Sequence, residues 1–401
     1  MKTQHISTRV GRAASRCLGL ALLAALLVPG PGSRAIGAGQ ALGVDPSGLV
    51  WATYLGGVDH EAGEAIALAP DGTVVAVGFT MIFNPSFNID AFIARFSPDG
   101  KTLLNLGMIE GMNVDGAFGV GVDRNGLITV VGQTLSDDFP VTPDAFQDVN
   151  RGGGGDGFFL QLNPDFEVVY ATYCGGTGED AFTDLAMDGA GNVVVCGYTT
   201  SADFPVTDNA YQGTFGGGST DAVVVQLSPV PGGSPQITYS SYLGGSADDA
   251  DFNPDDPYGS SLDERLLRQA VAVTPSGYII LAGMTWSTDF PTSPGAFQTM
   301  HSPLSGAYVE DADIYVTVLN PKAWGHKPGG QLYYSTYLGG EKRDVAEDLA
   351  VRGMARVTLA ALSRSADFPV TANALQPELN GMQDAVVVNL LPLPRIPRQF
   401  Q

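Results

Sequence analysis

Cysteine, histidine and cationic side chains are scarce in this 401-residue chain: 3 Cys, 4 His and 20 Lys+Arg, the last facing 42 Asp+Glu for a formal net charge of −22. Three cysteines cannot build a disulfide scaffold. So few cations under such an acidic excess exclude a nucleic-acid surface, because a phosphate backbone would be repelled. Long apolar runs are also lacking. The one candidate, Leu18 to Val28, is too short to span a bilayer comfortably. Helical periodicity is nearly absent, with Leu262 to Leu267 as its only short instance. What is abundant is glycine (52) and proline (26), together about 19 % of the chain, below the level of low-complexity sequences, while 44 % hydrophobic residues suffice for a large core.

The run from Leu18 to Val28 follows Lys2, Arg9, Arg12 and Arg16 and ends at Pro29-Gly30-Pro31-Gly32, with small residues at Ala35-Ile36-Gly37-Ala38. A basic start, an apolar stretch and a small-residue site make residues 1–40 a secretory signal peptide. Cys17, preceded by Ser15-Arg16, does not look like a lipid-modified cysteine. Removal of this segment leaves 15 Lys+Arg against 42 Asp+Glu, a net charge of −27, and no transmembrane segment. Cys174 and Cys196 are then the only cysteines. An oxidising destination permits a disulfide between them, and two buried thiols are the other reading.

Self-similarity is the strongest signal. Trp51-Ala52-Thr53-Tyr54-Leu55-Gly56-Gly57 is echoed at Tyr170 to Gly176, Tyr239 to Gly245 and Tyr334 to Gly340, with a worn copy near Leu104 to Gly107. A second motif recurs at Ser136-Asp137-Asp138-Phe139-Pro140, Ser201 to Pro205, Ser287 to Pro291 and Ser365 to Pro369. Between them lie period-two stretches punctuated by Pro-Asp-Gly turns, such as Ala65 to Ala69, Thr73 to Gly78 and Asp90 to Phe96. Four short strands per unit of roughly sixty residues is the size of a propeller blade. In the first strand of each unit Ala67, Gly121, Ala186, Ala272 and Ala350 fall on one face, with Ile66, Val120, Leu185, Val271 and Leu349 on the other. Small residues facing large ones suit packed neighbouring blades, which places this strand beside the axis.

The expected fold is therefore all-β, a single β-propeller of four-stranded antiparallel blades over residues 41–394 with a C-terminal tail at 395–401. Five blades are expected. One of them is composite, built from residues 47–57 and 344–392, so that no sheet edge is left open.

The order Tyr-x-x-Tyr-Leu-Gly-Gly, an acidic-Ala step, a strand ending in Asp188-Gly189-Ala190-Gly191-Asn192, then Gly197-Tyr198-Thr199 and Ser201 to Thr207, resembles the bacterial SBBP beta-propeller repeat. The resemblance spans essentially the whole chain after the signal. It implies an exported or cell-surface propeller module and brings no catalytic residue set with it.

Chemistry is harder to find. A Gly-x-Ser-x-Gly elbow is absent, and His60, His301 and His326 stand singly without metal-binding spacing. Gly152 to Gly157 fits Gly-x-Gly-x-x-Gly but precedes a strand, which fails the dinucleotide context. The densest oxygen cluster is the stretch holding Asp248, Asp249, Asp251, Asn253, Asp255, Asp256, Asp263 and Glu264. Hard oxygen ligands suit calcium, with Asp249, Asp251, Asn253 and Asp255 as candidate ligands. Pro254 replaces the turn glycine of an EF-hand, so that motif is rejected, and a solvated acidic loop is the competing reading. Asp138, Asp203, Asp289 and Asp367 recur before Phe-Pro and are expected to cap their own turns, while Phe139, Phe204, Phe290 and Phe368 fill the core. Glu64, Asp115, Asp184 and Asp348 are expected at the channel mouth.

The function read from this pattern is a monomeric, non-enzymatic propeller, secreted or at the cell surface, whose loops bind a glycan or an extracellular protein. The alternative is an extracellular polysaccharide hydrolase or lyase with paired carboxylates on the propeller face. A surface spacer without a ligand is a third reading.

Overall fold

The computed structural model describes residues 50–82, 88–109, 111–250, 269–302, 311–323, 330–353 and 356–391. The expected signal peptide, residues 1–40, and the tail 395–401 lie outside the described residues.

The period-two stretches form nineteen strands in five antiparallel sheets taken in chain order. The first holds β1 (His60–Leu68), β2 (Val74–Ile82), β3 (Asn88–Phe96) and β4 (Leu103–Ile109); the second holds β5 (Asp115–Val122), β6 (Ile128–Thr134), β7 (Asp156–Leu162) and β8 (Val168–Cys174). The third contains β9 (Asp180–Met187), β10 (Val193–Thr199), β11 (Asp221–Ser228) and β12 (Gln236–Leu243). The fourth contains β13 (Ala270–Val273), β14 (Ile279–Thr285), β15 (Asp313–Leu319) and β16 (Leu332–Leu338), and the fifth β17 (Asp344–Arg352), β18 (Arg356–Ser363) and β19 (Asp384–Leu390). The fold is a β-propeller with one sequence unit per blade. Its first strands β1, β5, β9, β13 and β17 touch one another in succession. Ala67, Gly121, Ala186, Ala272 and Ala350 lie opposite Val75, Thr129, Val194, Ile280 and Thr358, the second residue of the neighbouring strand in the first four blades and the third in the fifth, whose second strand begins one residue earlier. In the second blade the small side is functional packing: a Cβ on Gly121 would meet Leu185 and Met187 of the third.

The inner strand also carries a recurring β-bulge. Its ladder slips by one residue at Glu64, Phe118, Thr183 and Glu347 in four of the blades. A bulge re-aims one side chain and adds twist to a strand crowded near the axis.

The second tyrosine of the Tyr-x-x-Tyr motif clasps the second, third and fourth blades internally. The Tyr242 hydroxyl donates to Ser201 O at 2.8 Å and accepts from Phe204 N at 2.9 Å. Tyr173 does the same with Ser136 O and Phe139 N, and Tyr337 donates to Ser287 O. Phe139, Phe204, Phe290 and Phe368 are all buried, as expected. Tyr242→Phe leaves Phe204 N and Ser201 O only their long 3.4 Å bond to each other and is expected to destabilise by about 1–3 kcal/mol. The urea midpoint reads this directly, and an unchanged midpoint would assign the clasp no weight.

The fifth blade departs from expectation. Its sheet has three strands, and residues 50–57 pair with none of them. Trp51 instead lies against Phe96, ring centroids 6.1 Å apart, in a small core with Val74. The composite blade of 47–57 and 344–392 is thus incomplete in the structure. The consequence is visible on both flanks: Ile66 (67 % exposed) on β1 and Val387 (79 %) on β19 lack the covering that buries Val120 and Phe159.

Candidate functional site

Inner strands begin, second strands end and third strands begin on one face of the propeller, and the repeated acids collect there. In the third blade Asp180 opens β9 and is fully buried. Its Oδ2 accepts from Gly176 N at 2.7 Å and Ser201 Oγ at 2.9 Å, while Thr199 Oγ1 donates to Oδ1. Asp115, Asp249 and Asp344 repeat this set with Gly111, Gly245 and Gly340 as N–H donors and Ser136, Ser287 and Ser365 as hydroxyl donors. In the first blade Glu61 takes the place, accepting from Gly57 N at 2.9 Å.

A second acid stands at the start of each third strand. Asp156 accepts through Oδ2 from Gln147 Nε2 at 2.6 Å and Arg151 N at 3.0 Å. Gln147 Oε1 in turn accepts from Gly175 N at 3.1 Å. Gln212 with Asp221 and Gly244, and Gln298 with Asp313 and Gly339, repeat the relay. A Cβ on Gly175 would fall 2.5 Å from Asp156 Oδ1 and 2.8 Å from Asp180 Oδ2, so the glycine exists to let two carboxylates converge. These glutamines were not singled out from the sequence. Their signal is present in Ala145-Phe146-Gln147, Ala210-Tyr211-Gln212, Ala296-Phe297-Gln298 and Ala374-Leu375-Gln376.

Burial dominates the electrostatics of both sets. It raises Asp115, Asp156 and Asp344 to about 6, Asp180, Asp221 and Asp313 to about 7, and Asp249 to about 8. The neighbouring carboxylates push further in the same direction, Asp156 on Asp180 and Asp221 on Asp249. Such pairs are the paired carboxylates the enzyme reading calls for; Asp156, Asp180, Asp221, Asp249, Asp313 and Asp344 are all 0 % exposed, and the Oδ1 atoms of Asp156, Asp221, Asp313 and Asp344 have no hydrogen-bond partner among the described residues.

Several expected site residues fall elsewhere. Asp249, a candidate calcium ligand, belongs to the buried set above, with Gly245, Thr285 and Ser287 donating to its two oxygens. Asp251, Asn253 and Asp255 lie outside the described residues. Cys174 on β8 and Cys196 on β10 are free, buried thiols in two different core clusters, so no disulfide joins them. Asp203 accepts from Thr177 N at 2.8 Å, Asp289 from Ser246 N and Asp367 from Glu341 N, so each holds the turn that enters its blade. The four acids expected at the channel mouth occupy three different strand positions. Asp115 is in the buried set, Glu64 is at the bulge, and Asp184 and Asp348 follow it, with Asp184 accepting from Val271 N of the next blade at 2.9 Å.

The open feature on the same face is a cleft of about 420 Å³ between the first and second blades. Asn88 at the start of β3, Met112 and Asn113 before β5, Asp137 after β6, and Asn150 with the glycines 152–155 before β7 line it. The glycine run is dictated by geometry: Gly153 has φ 74°, and a Cβ there would fall 2.1 Å from Gly178 O. Local hydrogen bonds set the polar groups. Asn88 Nδ2 donates to Asp90, Asn113 Nδ2 to Leu135 O, and Asn150 Oδ1 accepts from Gly152 N. Asn113, Asp137 and Met112 are exposed, and Asp137 is the one carboxylate among the described lining residues.

No family model and no curated protein matches the chain. Among solved structures it is similar to Sqt1 from Chaetomium thermophilum (13 % identity, 77 % of this chain and 69 % of that one, TM-score 0.30) and to a gluconolactonase from Xanthomonas campestris (11 %, 75 % and 83 %, 0.31). A GH43_1 enzyme from Xanthomonas citri complexed with xylotriose is similar at 11 % identity over 76 % of this chain and 82 % of that one, TM-score 0.32.

Proposed function

We propose that the protein is an exported binding module that takes a neutral glycan in the cleft between its first and second blades. The observation that carries the reading is the lining: three side-chain amides and one carboxylate around backbone laid bare by glycine, with the exposed Met112 as the apolar side chain among them. Amides and carboxylates supply the mixed donors and acceptors that adjacent sugar hydroxyls require, and a methionine can accept the less polar face of a ring. Among the described lining residues Asp137 is the one carboxylate, where a glycosidase uses two. The basic and apolar segment before residue 40 supports export, as does the resemblance to SBBP repeats.

A glycan array probed with the chain lacking residues 1–40 is expected to give selective binding to neutral oligosaccharides and no reducing-sugar release. Asp137→Asn and Asn113→Ala are each expected to weaken that binding by about tenfold, the worth of one or two hydrogen bonds. Binding that survives both substitutions places the ligand elsewhere on the molecule.

A further inference from the structure

One pair of positions in each blade escapes the demands of the fold. The residue before the buried acid of the inner strand gives its carbonyl to the amide that follows the second strand. Leu135 N donates to Val114 O at 2.9 Å, Thr200 N to Glu179 O at 2.8 Å, Trp286 N to Asp248 O at 2.8 Å and Arg364 N to Arg343 O at 3.0 Å. In the first blade His60 lies opposite Met81 at the same place. Both sides of such a pair are fixed. Inside stands the buried acid, and outside a serine Oγ accepts a turn N–H, as Ser136, Ser201, Ser287 and Ser365 do from Asn113, Gly178, Ala247 and Lys342. The pair itself is joined through backbone alone, so its side chains can differ from blade to blade. They do, reading His/Met, Val/Leu, Glu/Thr, Asp/Trp and Arg/Arg around the face. Loop positions that a repeat leaves unconstrained are where binding chemistry is written.

The fifth pair runs against the composition of the chain. Lys342, Arg343 and Arg364 are three of only fifteen cations after residue 40, and they meet at the mouth of one blade. The Arg343 guanidinium carbon lies 6.0 Å from the centroid of the Trp286 ring, which is itself seated on Met284, Ala312 and Val345. Arg364 Nε donates to Gln383 Oε1 at 3.0 Å. An indole face and an amide thus orient the two guanidiniums. Among the described residues neither Lys342 nor Arg364 has a carboxylate at ion-pairing distance, although acids outnumber cations twofold. Glu341 and Gln383, both exposed, set oxygen acceptors beside the cations.

We propose that this mouth of the fifth blade binds a uronate residue of an acidic glycan. Arg364 and Arg343 take the carboxylate, whose two oxygens match a guanidinium fork, and Lys342 adds charge. Glu341 and Gln383 accept from the sugar hydroxyls. A denser polyanion meets repulsion from Glu341 and from the acidic surface around it, whereas a singly charged, hydroxyl-rich ring suits the mixture of cations and acceptors. The site shares no residue with the cleft between the first and second blades and does not depend on what that cleft binds.

Calorimetric titration of the purified protein with trigalacturonate tests this. Binding is expected, with an affinity that falls as salt rises from about 50 to about 500 mM. The neutral galactose trimer, which lacks the carboxylates, is expected neither to bind at this mouth nor to compete. Arg343→Gln and Arg364→Gln are each expected to weaken binding by about tenfold or more, the worth of one charge-assisted contact. The urea midpoint of Arg364→Gln, a change at a loop side chain, is expected to match that of the parent, so a loss of binding there is not a loss of folding. Absence of heat with trigalacturonate, equal competition by the neutral trimer, or binding that Arg364→Gln leaves intact each overturns the proposal. Tighter binding of a short oligoglutamate peptide than of trigalacturonate would assign the mouth to a protein partner and overturns it as well.

Discussion

Gly197→Ala is expected to destabilise the protein by about 3 kcal/mol or more, enough to abolish folding if overall stability is ordinary. The reason is geometric. At the bulge of the inner strand the backbone of Ala181 crosses so close to β10 that a Cβ on Gly197 would fall 1.9 Å from Ala181 O. That atom belongs to the backbone, so no rotamer change relieves the overlap and the ladder itself must open. Gly78 and Gly132 face the same carbonyl-to-Cβ distance in the first and second blades. The fifth blade carries Ala361 at this position, buried and paired with Ala346, so its ladder has already made the room. Ala361→Gly should therefore cost only about 1 kcal/mol, the backbone entropy of glycine. Chemical denaturation of the two variants side by side gives the comparison, and a Gly197→Ala midpoint within experimental error of the parent would refute the argument.

Thermal stability is expected to fall as the pH rises from about 5.5 to 8. The buried acids at the heads of inner and third strands carry folded pKa values of about 6 to 8, while an unfolded carboxyl titrates near 4. Between those values the folded chain holds protons that the unfolded chain has released. Stability from these groups is thus fully present at low pH and is lost as pH climbs through 6 to 8. Self-repulsion of the acidic surface acts in the same direction. A melting temperature at least roughly 5 °C lower at pH 8 than at pH 5.5 corresponds to a few kcal/mol. Asp249→Asn, which keeps the shape of the highest-titrating acid without its charge, should narrow that gap. A melting temperature that rises across this range would show that the hydrogen-bond donors around each carboxylate outweigh its burial.

Repetition made the fold legible and hid much of the site. The blade count, the strand order and the small-against-large alternation of Ala186 and Leu185 could be read because a period of two and a period of roughly sixty residues both survive in the sequence. The aspartates were visible but misgrouped. Asp249 reads as part of an acidic insertion because Asp248, Asp251 and Asp255 surround it, whereas Ala250 marks it as the acidic-Ala step that opens an inner strand. The four acids grouped at the channel mouth hold different strand positions for a related reason: a bulge of one residue shifts everything after it to the other face, and no sequence pattern announced the bulge at Thr183 or Glu347. The cleft was not readable at all. Asn88, Asn113, Asp137 and Asn150 come from four separate loops, and only the sheet arrangement brings them together.

Each turn that leaves an outer strand is held by side chains of the unit that follows it in the chain, as Ser201 and Asp203 hold Gly178 and Thr177. During synthesis the tyrosine clasp of a blade therefore emerges with the blade itself, whereas the turn behind it is held only once the next unit has been made. Each new unit then fastens the junction it has just left, so that the joints between blades are secured in chain order.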